Sequence, residues 1–175
     1  MALLADAPTE TRFRLTFSAD PLVVRRGMAR IAASLPMAAL APDHRARAEI
    51  ALAEVLNNIA EHAYAKGPGK IAVRLRVTAS GLDCRFSDHG REMPGGDLPQ
   101  GQLPREEYPE GGFGWYLIRS LTQGLDYRRV NGRNRLRILV AVRDDDASHM
   151  EVPRMDSPMR YLIVRTDVRA VAPDE

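Results

Sequence analysis

Residues 53–64 read AEVLNNIAEHAY, an apolar helical run into which Glu54, Asn57, Asn58, Glu61 and His62 are set. At about 100° per residue, Glu54, Asn58 and His62 share one side of a helix, with Glu61 and Asn57 flanking them. Leu52, Val55, Leu56, Ile59 and Ala63 fill the opposite arc. The helix therefore has a core face and a polar face. A solvated face accounts for most polar stripes of this kind, but such faces are usually built from Lys, Arg, Glu and Gln. Adjacent asparagines are poor helix formers, because their side chains compete for backbone hydrogen bonds. Glu, Asn and His in one row also suit a hard cation and proton transfer. Taken alone, the stripe admits both readings.

Working outward, the pattern predicts a long helix from His44 to about Ala65, with Asp43 as its cap and Gly67, Pro68 and Gly69 as its stop. Upstream, the alternating run 12–17 (RFRLTF) reads as a strand. PLVVRRGMARIAASL from Pro21 reads as a helix capped by Ser18 or Asp20 and halted by Pro36, with 37–43 as a linker. Downstream, KIAVRLRVT (70–78) and LDCRFSD (82–88) form a hairpin across Ala79-Ser80-Gly81. Residues 89–111 lose all periodicity. A loop of that length in a compact domain is usually functional or mobile. GWYLIRSLTQGL (114–125) is helical, and strands DYRRV and RLRILVAV follow around the turn Asn131-Gly132. Hairpins with helices grouped between them imply an α/β two-layer sandwich, a mixed, mostly antiparallel sheet with helices on one face. Residues 1–143 make the domain, and 144–175 form a C-terminal extension of unknown role with one strand candidate, RYLIVRT.

With 175 residues, 45% hydrophobic and 27% charged, the chain can bury a real core and is not compositionally disordered. Net charge is +2 and the basic residues are dispersed along the sequence, so no basic block announces nucleic acid. The single cysteine, Cys84, rules out an internal disulfide and a cysteine metal site, and reads as a buried small hydrophobe. No apolar segment is long enough to span a bilayer and no secretory signal is evident, so the expectation is a cytoplasmic protein.

Two further signals lie on either side of the long loop. Asp88-His89-Gly90 closes a strand, a pattern that an ordinary Asx turn also produces. Gly111, Gly112 and Gly114 open an apolar helix, where backbone N–H groups can receive phosphate. No Lys-Ser or Lys-Thr follows, so this is not a Walker A loop, and no parallel strand leads into it as a dinucleotide fingerprint requires.

In order, the chain offers E-x-x-x-N-x-x-x-H on a helix, a strand ending in D-x-G, a long loop, and G-x-G opening a helix. This sequence resembles the ATP-binding domain of the GHKL superfamily, with its Bergerat-type sandwich. Within it the likeness is greatest to bacterial anti-sigma-factor serine/threonine kinases. It runs from about Arg12 to Val142 and includes the ending NGRNRLRIL.

The resemblance implies ATP and Mg²⁺ as cofactors, Asn58 as the Mg²⁺ ligand, Glu54 as the catalytic general base, and His62 at the phosphate end. It implies Asp88 as acceptor of the adenine amine, with Gly90 keeping the turn open to the ring. Gly112 and Gly114 would hold phosphate oxygens, and 91–111 would form a lid in which Arg91 and Arg105 are candidate γ-phosphate contacts. Phosphoryl transfer needs little beyond charge neutralisation and an oriented hydroxyl.

Two departures stand out. Glu92 occupies the second glycine of the family's D-x-G-x-G, and Asn134 stands where relatives often carry Thr. The implied function is a kinase that phosphorylates an anti-anti-sigma antagonist and binds a sigma factor, with no direct contact to nucleic acid or membrane and with homodimerisation as in related kinases. An ATP-gated binding regulator without kinase activity is the alternative. A histidine kinase catalytic domain is disfavoured, because only eleven residues precede the first strand. Arg25, Arg26 and Arg30 on the first helix could meet a partner or simply be solvated.

Overall fold

The computed structural model describes residues 11–64, 67–101 and 113–141. The candidate strand RYLIVRT, the rest of 144–175, Arg105, Gly111 and Gly112 lie outside the described residues. Five strands form one sheet: β1 (Arg12–Ser18), β2 (Lys70–Thr78), β3 (Gly81–Asp88), β4 (Gly124–Val130) and β5 (Arg133–Val140). Their spatial order is β1-β2-β3-β5-β4, and all four pairings are antiparallel. The mostly antiparallel sheet is thus present, with no parallel pair among the described residues.

Alternation decides which side each strand residue takes. Leu15, Val73, Phe86 and Leu136 lie in register across β1, β2, β3 and β5, and all are buried. They face α1 (Pro21–Ala32), α2 (Leu35–Ala38), α3 (Pro42–Asn58) and α4 (Phe113–Ser120). Leu52, Val55 and Leu56 of α3 have no exposed surface, and each such burial stabilises by about 1.5–3 kcal/mol. Cys84 is fully buried in the same layer, and burial pushes its thiol far above the ordinary range. Among the described residues no helix is long and apolar enough to cross a membrane.

The helix boundaries differ from expectation in instructive ways. Asp20, not Ser18, caps α1, accepting from the N–H groups of Leu22 and Val23 ahead of Pro21. The helix stops at Ala32, and Pro36 does not end it. Instead Pro36 enters α2 in its first turn, where no N–H is needed, so the expected linker carries a helical turn that buries Met37 completely. Asp43 is not the cap of α3. Ala41 holds that place, Pro42 is the first helical residue, and Asp43 sits in the first turn where its charge favours the helix dipole.

From Ile59 to Ala63 the helix widens into a π turn, which ends it before Ala65. At the far end, α4 stops at Ser120 rather than running to Leu125. The N–H of Gln123 already bonds the Leu139 carbonyl across the sheet, and Thr122 closes its hydroxyl back onto Ile118. Asn131 and Gly132 both take positive φ, as a two-residue hairpin of this hand requires.

Candidate functional site

Two clusters of predicted residues sit at opposite ends of the π turn. At the first, α3 presents Glu54 and Asn58, both half-buried, toward the start of α4. A Cβ added at Gly114 would lie 2.8 Å from Glu54 Oε2 and 3.4 Å from both Asn58 Nδ2 and Oδ1. Absence of a side chain at Gly114 is therefore what allows the glycine-led helix to close on the polar stripe. Asn58 Nδ2 is buried and has no hydrogen-bond partner among the described residues. Leaving a buried amide unpaired costs about 1–3 kcal/mol, a cost that a water or a ligand bonded there would relieve. Turning that amide about its last torsion places an oxygen acceptor at the same point.

His62 is not brought to this cluster in the same way. It lies in the π turn, where the i, i+4 spacing no longer holds, and its side chain is exposed with no hydrogen bond among the described residues. Asn57 and Glu61 are exposed too. Gly112 lies outside the described residues.

At the second cluster, Asp88 ends β3 on the core side of the sheet and is 5% exposed. Its Oδ1 accepts from the Gly90 N–H and from Asn134 Nδ2, each at 2.8 Å. Among the described residues no hydrogen bond reaches its other oxygen, so Oδ2 keeps its acceptor capacity. Burial raises the Asp88 pKa above its usual value, against the opposing pull of Asn134, the Gly90 N–H, and the charges of Arg129 and His89.

Gly90 is needed by its neighbour: a Cβ there would meet the Ala63 Cβ at 2.6 Å and the Ala63 carbonyl oxygen at 2.7 Å. The next N–H, of Arg91, donates to that same carbonyl at 3.0 Å. The D-x-G turn thus rests on the end of the π turn, five residues along the chain from Asn58. Tyr64 closes the corner, its hydroxyl accepting from the His89 N–H at 2.8 Å and donating to the Lys70 carbonyl at 3.3 Å.

The two departures turn out to be linked. Glu92, in place of a glycine, pairs with Arg129 at 3.6 Å. Arg129 also donates to Asn134 Oδ1 and, at 2.9 Å, to the Gly90 carbonyl. Tyr127 donates to Asn134 Oδ1 at 2.9 Å and accepts from the Met93 N–H at 3.1 Å. Asn134 Nδ2 further reaches the Arg91 carbonyl at 2.8 Å. Side chains of β4 and β5 therefore hold the loop after Asp88. Arg129, Tyr127 and Tyr64 were not singled out in the sequence. Alternation from Leu125 places Tyr127 and Arg129 on the covered side of β4, a polar intrusion into an apolar face that was the available signal.

A family model described as a histidine kinase-like ATPase domain matches residues 17–140. Among solved structures, the chain is similar to the histidine kinase domain of the blue-light activated histidine kinase EL346 from Erythrobacter litoralis. The identity is 24% over 58% of this chain and 46% of that chain, with a TM-score of 0.46. It is also similar to a crystal structure of the RsbU and RsbW domains of Rv1364c from Mycobacterium tuberculosis. There the identity is 16% over 78% of this chain and 33% of that chain, with a TM-score of 0.50, a likeness of fold. The chain spans less than half the length of these solved chains. No curated protein matches it.

Proposed function

The chain belongs to the histidine kinase-like ATPase family, and from that premise we propose that it binds Mg²⁺-ATP and transfers phosphate to a serine or threonine of an anti-anti-sigma antagonist, while also binding a sigma factor in the cytoplasm. One observation carries the reading. Gly114 lets the start of α4 approach Glu54 and Asn58 closely, and the buried Asn58 amide has no hydrogen-bond partner among the described residues.

The residues present fit the nucleotide and metal. Among the described residues no group of three His, Cys, Asp or Glu side chains could hold an ion unaided. Mg²⁺ would be held by Asn58 together with phosphate oxygens, the shared arrangement that this ion favours. Once bound, it supplies charge neutralisation at the phosphates. Glu54 orients the acceptor hydroxyl and takes its proton. Asp88 accepts the exocyclic amine of adenine through Oδ2, and its burial favours selection, because a base lacking that amine leaves Oδ2 without a partner. Gly114, with Gly112, offers backbone N–H groups to phosphate, and His62 supports the same end from the exposed side of the π turn. Partner contact falls on α1, where Leu22 is 66% exposed beside Arg25 and Arg26. Pairing of two copies, as in related kinases, belongs to the same proposal.

A second reading has its own support: the network fastening Glu92, Arg129 and Asn134 stiffens the adenine loop, which suits an ATP-gated binding protein without transfer. Calorimetric titration of ATP, with and without Mg²⁺, into the wild type and Asn58→Ala tests the site. Mg²⁺-dependent binding that is lost in the variant is expected, and no binding by the wild type at millimolar ATP would sink the proposal. Glu54→Gln separates the two readings. It should abolish phosphate transfer to an antagonist domain and leave ATP binding intact, whereas partner capture without any transfer by the wild type selects the gated regulator.

A further inference from the structure

The helices cover one face of the sheet, and register assembles on the other face what the sequence disperses. Arg14 lies opposite Arg74, Arg74 opposite Arg85, and Arg85 opposite Arg137, a row crossing β1, β2, β3 and β5. With strands about 4.8 Å apart, the row extends roughly 14 Å. The pair Arg12 and Arg76 flanks it on one side, and the pair Arg128 and Arg135 on the other. All of these arginines are exposed.

Like charges directly opposite one another on neighbouring strands are destabilising, and a merely solvated sheet face would mix signs. Charges that block edge pairing explain arginines on β1 and β4. They do not explain Arg74, Arg85 and Arg137 on interior strands. Among the described residues two acids share the face. Asp126 is exposed opposite Arg137. Asp83 is 4% exposed and accepts from Arg85 at 2.9 Å and from Arg137 at 3.0 Å. The face thus already holds one carboxylate between guanidinium groups, the geometry in which arginine binds carboxylates best.

Aromatic side chains of the strands, Phe13, Phe17, Phe86 and Tyr127, all lie on the helix side. Among the described residues the arginine face therefore lacks the stacking platforms that single-stranded nucleic acid uses. The major groove of DNA admits an α-helix or a two-stranded ribbon, narrower than this four-strand face.

We propose that this face docks an acidic protein segment rich in Asp and Glu, bound by charge-assisted bonds to the arginine rows and independently of the nucleotide site. The test uses the full chain and a fluorescein-labelled poly-glutamate peptide, followed by anisotropy. Binding is expected, it should weaken as salt is raised, and Arg74→Glu should weaken it roughly tenfold. In that variant the new carboxylate stands opposite both Arg14 and Arg85, so thermal stability should hold or rise, which separates lost binding from lost fold. Arg47→Glu on α3, in the helix layer away from this face, should bind as the wild type does. Absence of peptide binding, indifference to Arg74→Glu, or an equal loss in the α3 variant overturns the proposal. Tighter binding of a duplex DNA, or of phosphatidylserine–phosphatidylcholine vesicles, with the same dependence on Arg74 also overturns it, in favour of that anion.

Discussion

Asp88 and Asn134 face each other across the β3–β5 pair, and Asn134 Nδ2 donates to Asp88 Oδ1 at 2.8 Å. The same amide group receives Tyr127 and Arg129 on its oxygen. One asparagine therefore ties the carboxylate, the following loop and the edge strand together.

Asn134→Leu should remove these ties while keeping a similar volume. Destabilisation of about 1–3 kcal/mol is expected, because buried partners lose their hydrogen bonds. Since Asn134 pulls the Asp88 pKa down against burial, its loss should raise that pKa further. Urea unfolding and carboxyl NMR titration check both; an unchanged Asp88 titration would refute the link.

Asp88→Asn separates stability from function. A pKa raised in the folded state means that stability is fully present below the ordinary carboxylate pKa and is lost as pH rises through the folded value. The amide keeps an acceptor for Gly90 and Asn134 and carries no charge to bury. At neutral pH the variant should be as stable as the wild type or more so, while adenine nucleotide binding falls by about tenfold or more. Thermal denaturation beside nucleotide titration reads the two effects, and retained affinity would remove Asp88 from the site.

Asp83 has the opposite sign. Burial alone would raise its pKa, but hydrogen bonds from Arg85 and Arg137 and their charges outweigh burial and lower it. Its contribution is present above the unfolded carboxylate pKa, near 3.8, and is lost as pH falls through the lower folded value. The stability advantage of the wild type over Asp83→Asn should therefore be constant near neutrality and vanish in strong acid. A difference that grows on acidification contradicts the assignment.

Gly114→Ala and Gly90→Ala should diverge. At Gly114 the new methyl meets the carboxylate end of the Glu54 side chain rather than backbone, so stability should change by less than about 1 kcal/mol while phosphate transfer is lost through displacement of that carboxylate. At Gly90 the methyl meets the Ala63 backbone, and overpacking should cost about 1–3 kcal/mol. Equal destabilisation of the two variants would show that a side-chain end at Gly114 yields no more readily than the backbone at Gly90.

Much of the fold was legible because its signals are local. The apolar arc of Leu52, Val55, Leu56 and Ile59 repeats at helical spacing, Asn131-Gly132 demands one turn type, and alternation in 70–78 marks a strand. Glu54 and Asn58 stood out as polar residues in an apolar helical run, whereas Asp88 and Gly114 were singled out only through the family resemblance. Legibility failed where a boundary depended on a partner distant in sequence. The end of α4 is set by Gln123 pairing with Leu139. The π turn brings the Ala63 carbonyl to the Arg91 N–H. Neither contact leaves a trace in nearby periodicity.

The sequence by itself determined which faces are apolar, where the turns fall, and which polar residues stand apart, since each depends on side chains a few positions away. Only the tertiary structure decided that Gly114 closes on Glu54 and Asn58, that Asn134 grips Asp88, and that scattered arginines become rows. Those outcomes depend on strand register and layer packing. Register is set by burying the whole apolar face at once, and a slip of one residue would turn every arginine of a strand to the other side.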